Sequence, residues 1–196
     1  MSIPVVADAD VLFSATTRGL FIYLDYQGLI ALHWSPLILD EVSRALVETG
    51  RKKTRAQARE NEARMNGALP NAMVATKDVQ AQFKAVESAV RSAKDMHVAA
   101  CAYHLVATNA YPNSAPVTLV SRNIKDFRKD ALAKLGIALQ KADDFLDALC
   151  ASHPTEVGAA FQQFRLDIAI QPEPEVLLKR LERDGLVKTA KRLFDL

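Results

Sequence analysis

Short apolar runs spaced by helix-length segments constrain this fold more than any other feature. Residues 3–7, 29–34, 117–121 and 137–140 read as strands, with 72–76 as a weaker addition. Between them the pattern is helical. A helix over 12–27 ends at Gly28, Ser35 and Pro36 open another, 54–66 reads as an exposed helix, and 79–90 and 94–108 follow. Serine caps a helix by accepting a main-chain N–H, proline suits the first helical position, and glycine ends it. Strands alternating with helices argue for a parallel sheet, so the expected class is α/β, with three α/β/α layers. After Asp143 only helices are expected, over 144–151, over 155–168, and beyond Pro172 and Pro174, where Gly185 splits the last stretch. The expected division is 1–145 for the α/β domain and 146–196 for a helical extension.

The first run, Ile3-Pro4-Val5-Val6-Ala7, ends in Asp8-Ala9-Asp10. A buried strand ending in two carboxylates delivers them to the carboxyl edge of a sheet, where open α/β folds place their chemistry. Crowded aspartates repel, so a cation is the expected companion. Further acids recur at edges of apolar segments: Glu41 in Leu39-Asp40-Glu41-Val42, Asp95 opening the apolar helical run 94–102, and Asp126 with Asn123 after the run 117–121. On the helix bearing it, Glu41 shares a face with Leu37 and Ala45. Carboxylate oxygens suit Mg²⁺ or Mn²⁺, whereas zinc favours histidine or cysteine. Two such ions can activate a water and steady the leaving oxygen of a phosphodiester. Each acid also has a plainer reading, since aspartate caps strands and helices, and Asp10 serves equally as ligand or cap. His97, two positions after Asp95, points away from it on a helix and reads as structural.

The series Val6-Ala7-Asp8-Ala9-Asp10-Val11, Leu39-Asp40-Glu41-Val42, Lys94-Asp95-Met96-His97 and Val120-Ser121-Arg122-Asn123-Ile124-Lys125-Asp126-Phe127 resembles the PIN-domain nucleases. It most resembles the VapC-type toxins of bacterial toxin–antitoxin pairs, over roughly residues 1–145. The resemblance implies a PIN-like fold and a metal-dependent ribonuclease that leaves a 5′-phosphate and a 3′-hydroxyl. It places Asp8, Glu41, Asp95 and Asp126 in the acidic quartet that holds Mg²⁺ or Mn²⁺. Ser121 stands where threonine is usual, Asn123 occupies a polar position beside the fourth acid, and Asp10 replaces a common asparagine. Ser92-Ala93-Lys94 replaces a Pro-Asp-rich turn. An antitoxin partner is also implied, laying an apolar segment on the protein and a basic side chain among the acids; helices 12–26 and 41–47 are the candidates for its groove, and the tail 173–196 either supplies part of that surface or caps the core.

Arg122 and Lys125 flank a proposed ligand of the fourth motif and are, with Arg18, the expected RNA contacts; Lys52, Lys53, Arg55, Arg59 and Arg128 form either a phosphate rim or a solvated face. A net charge of +2 is too small to indicate nucleic acid by itself, so its distribution matters. Cys101 and Cys150 suggest no disulfide framework. With no signal peptide and no run near the ~18 apolar residues of a membrane span, a cytoplasmic location without membrane contact is expected. A homodimer is a further expectation. Two other functions remain open. One is a haloacid-dehalogenase-type phosphatase, with Asp8 as covalent nucleophile, Lys141 as its lysine and Asp143-Asp144 as distal acids. The other is a non-catalytic module that binds RNA or a partner.

Overall fold

The computed structural model describes residues 2–196. Four parallel strands, β1 (Ile3–Ala7), β2 (Ile30–His33), β3 (Val117–Ser121) and β4 (Ile137–Lys141), form one sheet in the order β2-β1-β3-β4. Every residue of β3 and all but the first of β1 are buried, so helices cover both faces of the sheet. This is why these strands read as continuous apolar runs and not as alternating ones. From β1 the chain moves to one side for β2 and returns to the other side for β3 and β4. The strand order therefore reverses between β1 and β3, and their carboxyl ends flank the crevice that such a reversal creates. Ala7 pairs with Val120, which brings the following residues, Asp8 and Ser121, level with each other.

Helices α1 (Ala9–Leu12) and α2 (Ala15–Tyr26) follow β1, and α3 (Pro36–Glu48) and α4 (Arg55–Ala68) follow β2. Helices α5 (Thr76–Gln80), α6 (Phe83–Val86) and α7 (Met96–Ala107) lead to β3, and α8 (Lys129–Lys134) joins β3 to β4. The chain closes with α9 (Ala142–Ser152), α10 (Pro154–Asp167), α11 (Pro174–Arg183) and α12 (Val187–Phe194). The architecture is the expected three-layer α/β/α domain with a helical C-terminal part.

Local differences from the expected elements have identifiable causes. The helix over 12–27 is interrupted because Ser14 adopts an extended backbone and its hydroxyl accepts the Thr17 N–H, starting α2 afresh. Residues 72–76 form no strand: Trp34 exchanges two main-chain bonds with Ala72 and Val74, at 3.0 and 2.8 Å, and α5 begins at Thr76. The helix over 79–90 breaks into α5, α6 and a 3-10 turn (Glu87–Ala89), after which Val90 pairs with Phe127 in an antiparallel bridge. Helix α8 lies where none was expected.

The C-terminal helices share the core of the sheet domain. The expected division at 145/146 falls inside α9, where Phe145 stacks on Phe21 of α2 with ring centroids 6.1 Å apart. Leu177 and Leu181 of α11 are fully buried, each contributing about 1.5–3 kcal/mol of apolar burial. Phe164 of α10 lies so close to Gly19 of α2 that a Cβ there would stand 2.3 Å from the ring. The α2 face expected to receive a partner is thus occupied by α10 and α11.

Candidate active site at the β1–β3 edge

Asp8 leaves β1 in an extended conformation (φ −66°, ψ 158°) and caps α1, its Oδ1 accepting the Ala9 N–H at 2.7 Å. Its other oxygen, Oδ2, accepts from Ser121 Oγ at 2.9 Å, across the β1–β3 junction. The cap reading and the site reading of Asp8 therefore describe one geometry. Asp10, in the first turn of α1, accepts the main-chain N–H groups of Arg122 and Asn123 at 3.0 and 3.1 Å. Ser121 Oγ is also 3.3 Å from Asp10, but it has a single proton, and the shorter contact is to Asp8. Ser121 accepts the Asn123 N–H at 3.1 Å, which completes its bonding. The two carboxylates are thus held apart in role: Asp10 is anchored by backbone donors, and Asp8 is the buried one.

Burial, with Asp10 as the nearest like charge and Glu41 as a smaller contributor, pushes the Asp8 carboxyl up to about 7, against the lowering effect of its bonds to Ser121 and Ala9. Burial also raises Asp10, opposed by the N–H groups of Arg122 and Asn123 and by the Arg122 charge. Asp95 is raised by burial and then by Asp126 and Glu41. These influences link Asp8 to Glu41, Glu41 to Asp95, and Asp95 to Asp126 across one edge of the molecule.

Each of the remaining acids has a local reason for its position. Glu41 lies on α3, and His97 Nε2 of α7 approaches its carboxylate to 3.2 Å. The histidine holds Glu41 below the ordinary carboxylate range. His97 thus lies against Glu41, and its charge also bears on Asp95. Asp95 ends a 3-10 turn (Ala93–Asp95) whose opening residue, Ser92, accepts the Lys94 N–H at 3.2 Å. Asp126 ends a second 3-10 turn (Ile124–Asp126), and its carboxylate accepts from Asn123 Nδ2. The two turns are tied together: the Arg91 N–H donates to the Asp126 carbonyl and the Arg128 N–H to the Ala89 carbonyl, each at 2.8 Å. Among the described residues, no three His, Cys, Asp or Glu side chains converge into a ready-made metal cage.

The cations expected at the site behave differently from one another. Lys125 is exposed. The Arg18 guanidinium is tied inward, donating to the Leu12 carbonyl at 2.6 Å and to Asn61 Oδ1 at 3.0 Å, and burial lowers its pKa to about 10. It braces α1 against α4 and does not reach outward for RNA. Arg122 folds back on Thr17 Oγ1 at 3.3 Å, with its Nε buried and unpartnered. Thr17 in turn donates to Asp184 at 2.9 Å, as does Ser14. Asp184 ends α11, so the C-terminal helices supply a carboxylate to the residues behind Arg122. No spacing in the sequence pointed to Asp184, which lies 167 positions from Thr17. Asp143, a distal acid in the phosphatase reading, accepts the N–H groups of Lys188 and Thr189 at 3.1 and 2.9 Å, and so caps α12.

Fold and site together define a class: a parallel α/β/α domain that sets two aspartates, Asp8 and Asp10, beside Ser121 at its strand-order reversal. Residues 142–195 match the family model described as the VapC50 C-terminal domain, a span that covers α9 to α12. No curated protein and no solved structure matches the chain. No helix among the described residues is long and apolar enough to cross a membrane.

Proposed function

We propose that this chain is a divalent-metal-dependent endoribonuclease acting as the toxin of a toxin–antitoxin pair, with RNA and a cognate antitoxin as its partners. The observation that carries the reading is the Asp8–Ser121–Asp10 arrangement at the β1–β3 crevice, with Glu41, Asp95 and Asp126 in electrostatic contact along the same edge. The VapC50-type match of the C-terminal helices supports the same reading from an independent stretch of chain.

The donor set fits Mg²⁺ or Mn²⁺. It is all oxygen, and its buried member is raised toward neutrality by burial and by the like charge of Asp10, both of which a bound cation would offset. A ready-made cage is not required, because Mg²⁺ keeps several of its waters and uses one or two carboxylates together with substrate phosphates. Asp8, Glu41, Asp95 and Asp126 would hold the ion. When bound, it supplies Lewis acidity and water activation for phosphodiester hydrolysis. The chain's own groups do the rest. Ser121 orients the Asp8 carboxylate, the N–H groups of Arg122 and Asn123 fix Asp10, and the Asn123 amide orients Asp126. Lys125 is free to meet a phosphate. The phosphatase alternative loses support, because Asp10 is immobilised by backbone donors and Asp143 is engaged in capping α12.

The test is cleavage of a mixed structured RNA pool with Mg²⁺ or Mn²⁺, with EDTA as control, and mapping of the product ends. Cleavage to 5′-phosphate ends is expected, with a loss of about 10²-fold or more in Asp8→Asn, since most stabilisation of transition-state charge goes with the metal. Undiminished cleavage in EDTA, or by a correctly folded Asp8→Asn protein, would refute it.

A further inference from the structure

We propose that the groove between α8 and residues 88–91 holds the sugar–phosphate backbone of single-stranded RNA beside the acid cluster. The inference rests on the ribonuclease reading and says where its substrate runs. The groove encloses about 760 Å³. Its rim carries Arg91, Lys125, Arg128, Lys129 and Lys134 against a single carboxylate, Asp130. All five cations are exposed, and none is in an ion pair among the described residues. Over the whole chain 25 basic residues face 23 acidic ones, so five against one is a local concentration that the near-neutral total conceals. Such a rim attracts polyanions, and the half-buried Ile124 and Leu135 give it an apolar lining between the cations.

Continuity with the acid site argues for RNA as the occupant. Ile124, Lys125, Phe127 and Arg128 line one wall of the groove. Asp126, between Lys125 and Phe127 in the same turn, is not itself a lining residue but lies within electrostatic reach of Asp95. The Val90–Phe127 bridge and the two 2.8 Å main-chain bonds around it hold this wall against residues 89–91. A strand lying in the groove therefore reaches the acids along one piece of ordered backbone. The need is also electrostatic: clustered carboxylates repel a phosphodiester, and cations next to them offset that repulsion. An acidic protein segment meets the same charge, but the junction with a phosphodiester-cleaving site favours nucleic acid.

The experiment uses the full chain carrying Asp8→Asn, so that RNA is bound and not cut, with fluorescence anisotropy of a labelled single-stranded RNA across a salt series. In the added triple variant Arg128→Ala/Lys129→Ala/Lys134→Ala, each lost phosphate contact reduces the log–log salt slope by about 0.7, about 2 in all. Between 1 M and 0.1 M salt that change amounts to about a 100-fold loss of affinity. Lys129→Glu/Lys134→Glu, at two exposed positions that make no side-chain hydrogen bond or ion pair, is the second variant should Arg128 prove important for folding. It should weaken binding at least as much per site. Unchanged affinity and slope in both variants would overturn the proposal. So would a poly-glutamate peptide binding as tightly as the RNA and losing affinity equally in both variants, because the groove would then be an acidic-peptide site. Failure of the ribonuclease reading has a separate signature: no cleavage by the unsubstituted chain with either metal, whatever the groove variants do to binding.

Discussion

Replacing Asp8 with asparagine should make the metal-free protein more stable at alkaline pH and remove most of its stability change between pH 4 and 7. The side chain is almost fully buried, and its carboxyl is pushed from its ordinary 3.8 to about 7, first by burial and then by Asp10. Because the folded value lies above the unfolded one, the folded chain holds a proton that the unfolded chain has lost. Stability is therefore full below about pH 4, falls as pH rises toward 7, and levels off beyond. At about 1.36 kcal/mol for each tenfold change in acid constant, the gap from 3.8 to about 7 corresponds to about 4 kcal/mol. Part of the rise comes from Asp10, which remains in the variant, so about 2–4 kcal/mol is the expected difference between wild type and Asp8→Asn at pH 8. Asparagine keeps the local bonds: its carbonyl accepts the Ala9 N–H, and its amide donates to Ser121 Oγ. The assay is urea unfolding in EDTA at pH 5 and pH 8 for both proteins. If both lose the same stability over that interval, Asp8 does not carry the buried charge and the reasoning fails. Saturating Mg²⁺ should restore the wild type at pH 8 by about 2.7 kcal/mol at one hundred times its dissociation constant, and leave Asp8→Asn nearly unmoved.

Two further outcomes test the attachment of the C-terminal helices. Gly19→Ala improves helix propensity by about 1 kcal/mol but drives a methyl into the Phe164 ring, so a net loss of about 1–2 kcal/mol in urea unfolding is expected, recovered when Phe164→Leu is added. Asp184→Ala leaves the Ser14 and Thr17 hydroxyls without their acceptor, and should cost about 1–3 kcal/mol and speed amide exchange in α11 and α2, whereas an unchanged exchange pattern would mean that the contact carries no stability.

The strand–helix alternation, the cap at Ser35 and the delivery of Asp8 to a sheet edge follow from local patterns in the sequence, because strand burial, capping and helix periodicity depend on residues only a few positions apart. Glu41, Asp95 and Asp126 stand out in the sequence as acids bordering apolar segments, but their influence on Asp8 and on one another comes from the tertiary structure. Which acid becomes the raised one was not legible. That depends on the register of β1 against β3, which sets Ser121 beside Asp8 and hands the N–H groups of Arg122 and Asn123 to Asp10. The fate of the arginines was equally hidden. Arg18 and Arg122 read as outward cations, but Asn61 and Thr17 draw them in, and the Asp184 that completes the Thr17 bonding arrives from the far end of the chain. The five-cation groove was hidden too, since the Val90–Phe127 pairing holds Arg91 beside Lys125 and Arg128. Contacts between residues dozens of positions apart or more leave no periodicity in the sequence. Only packing the sheet and its helices around one core brings them together.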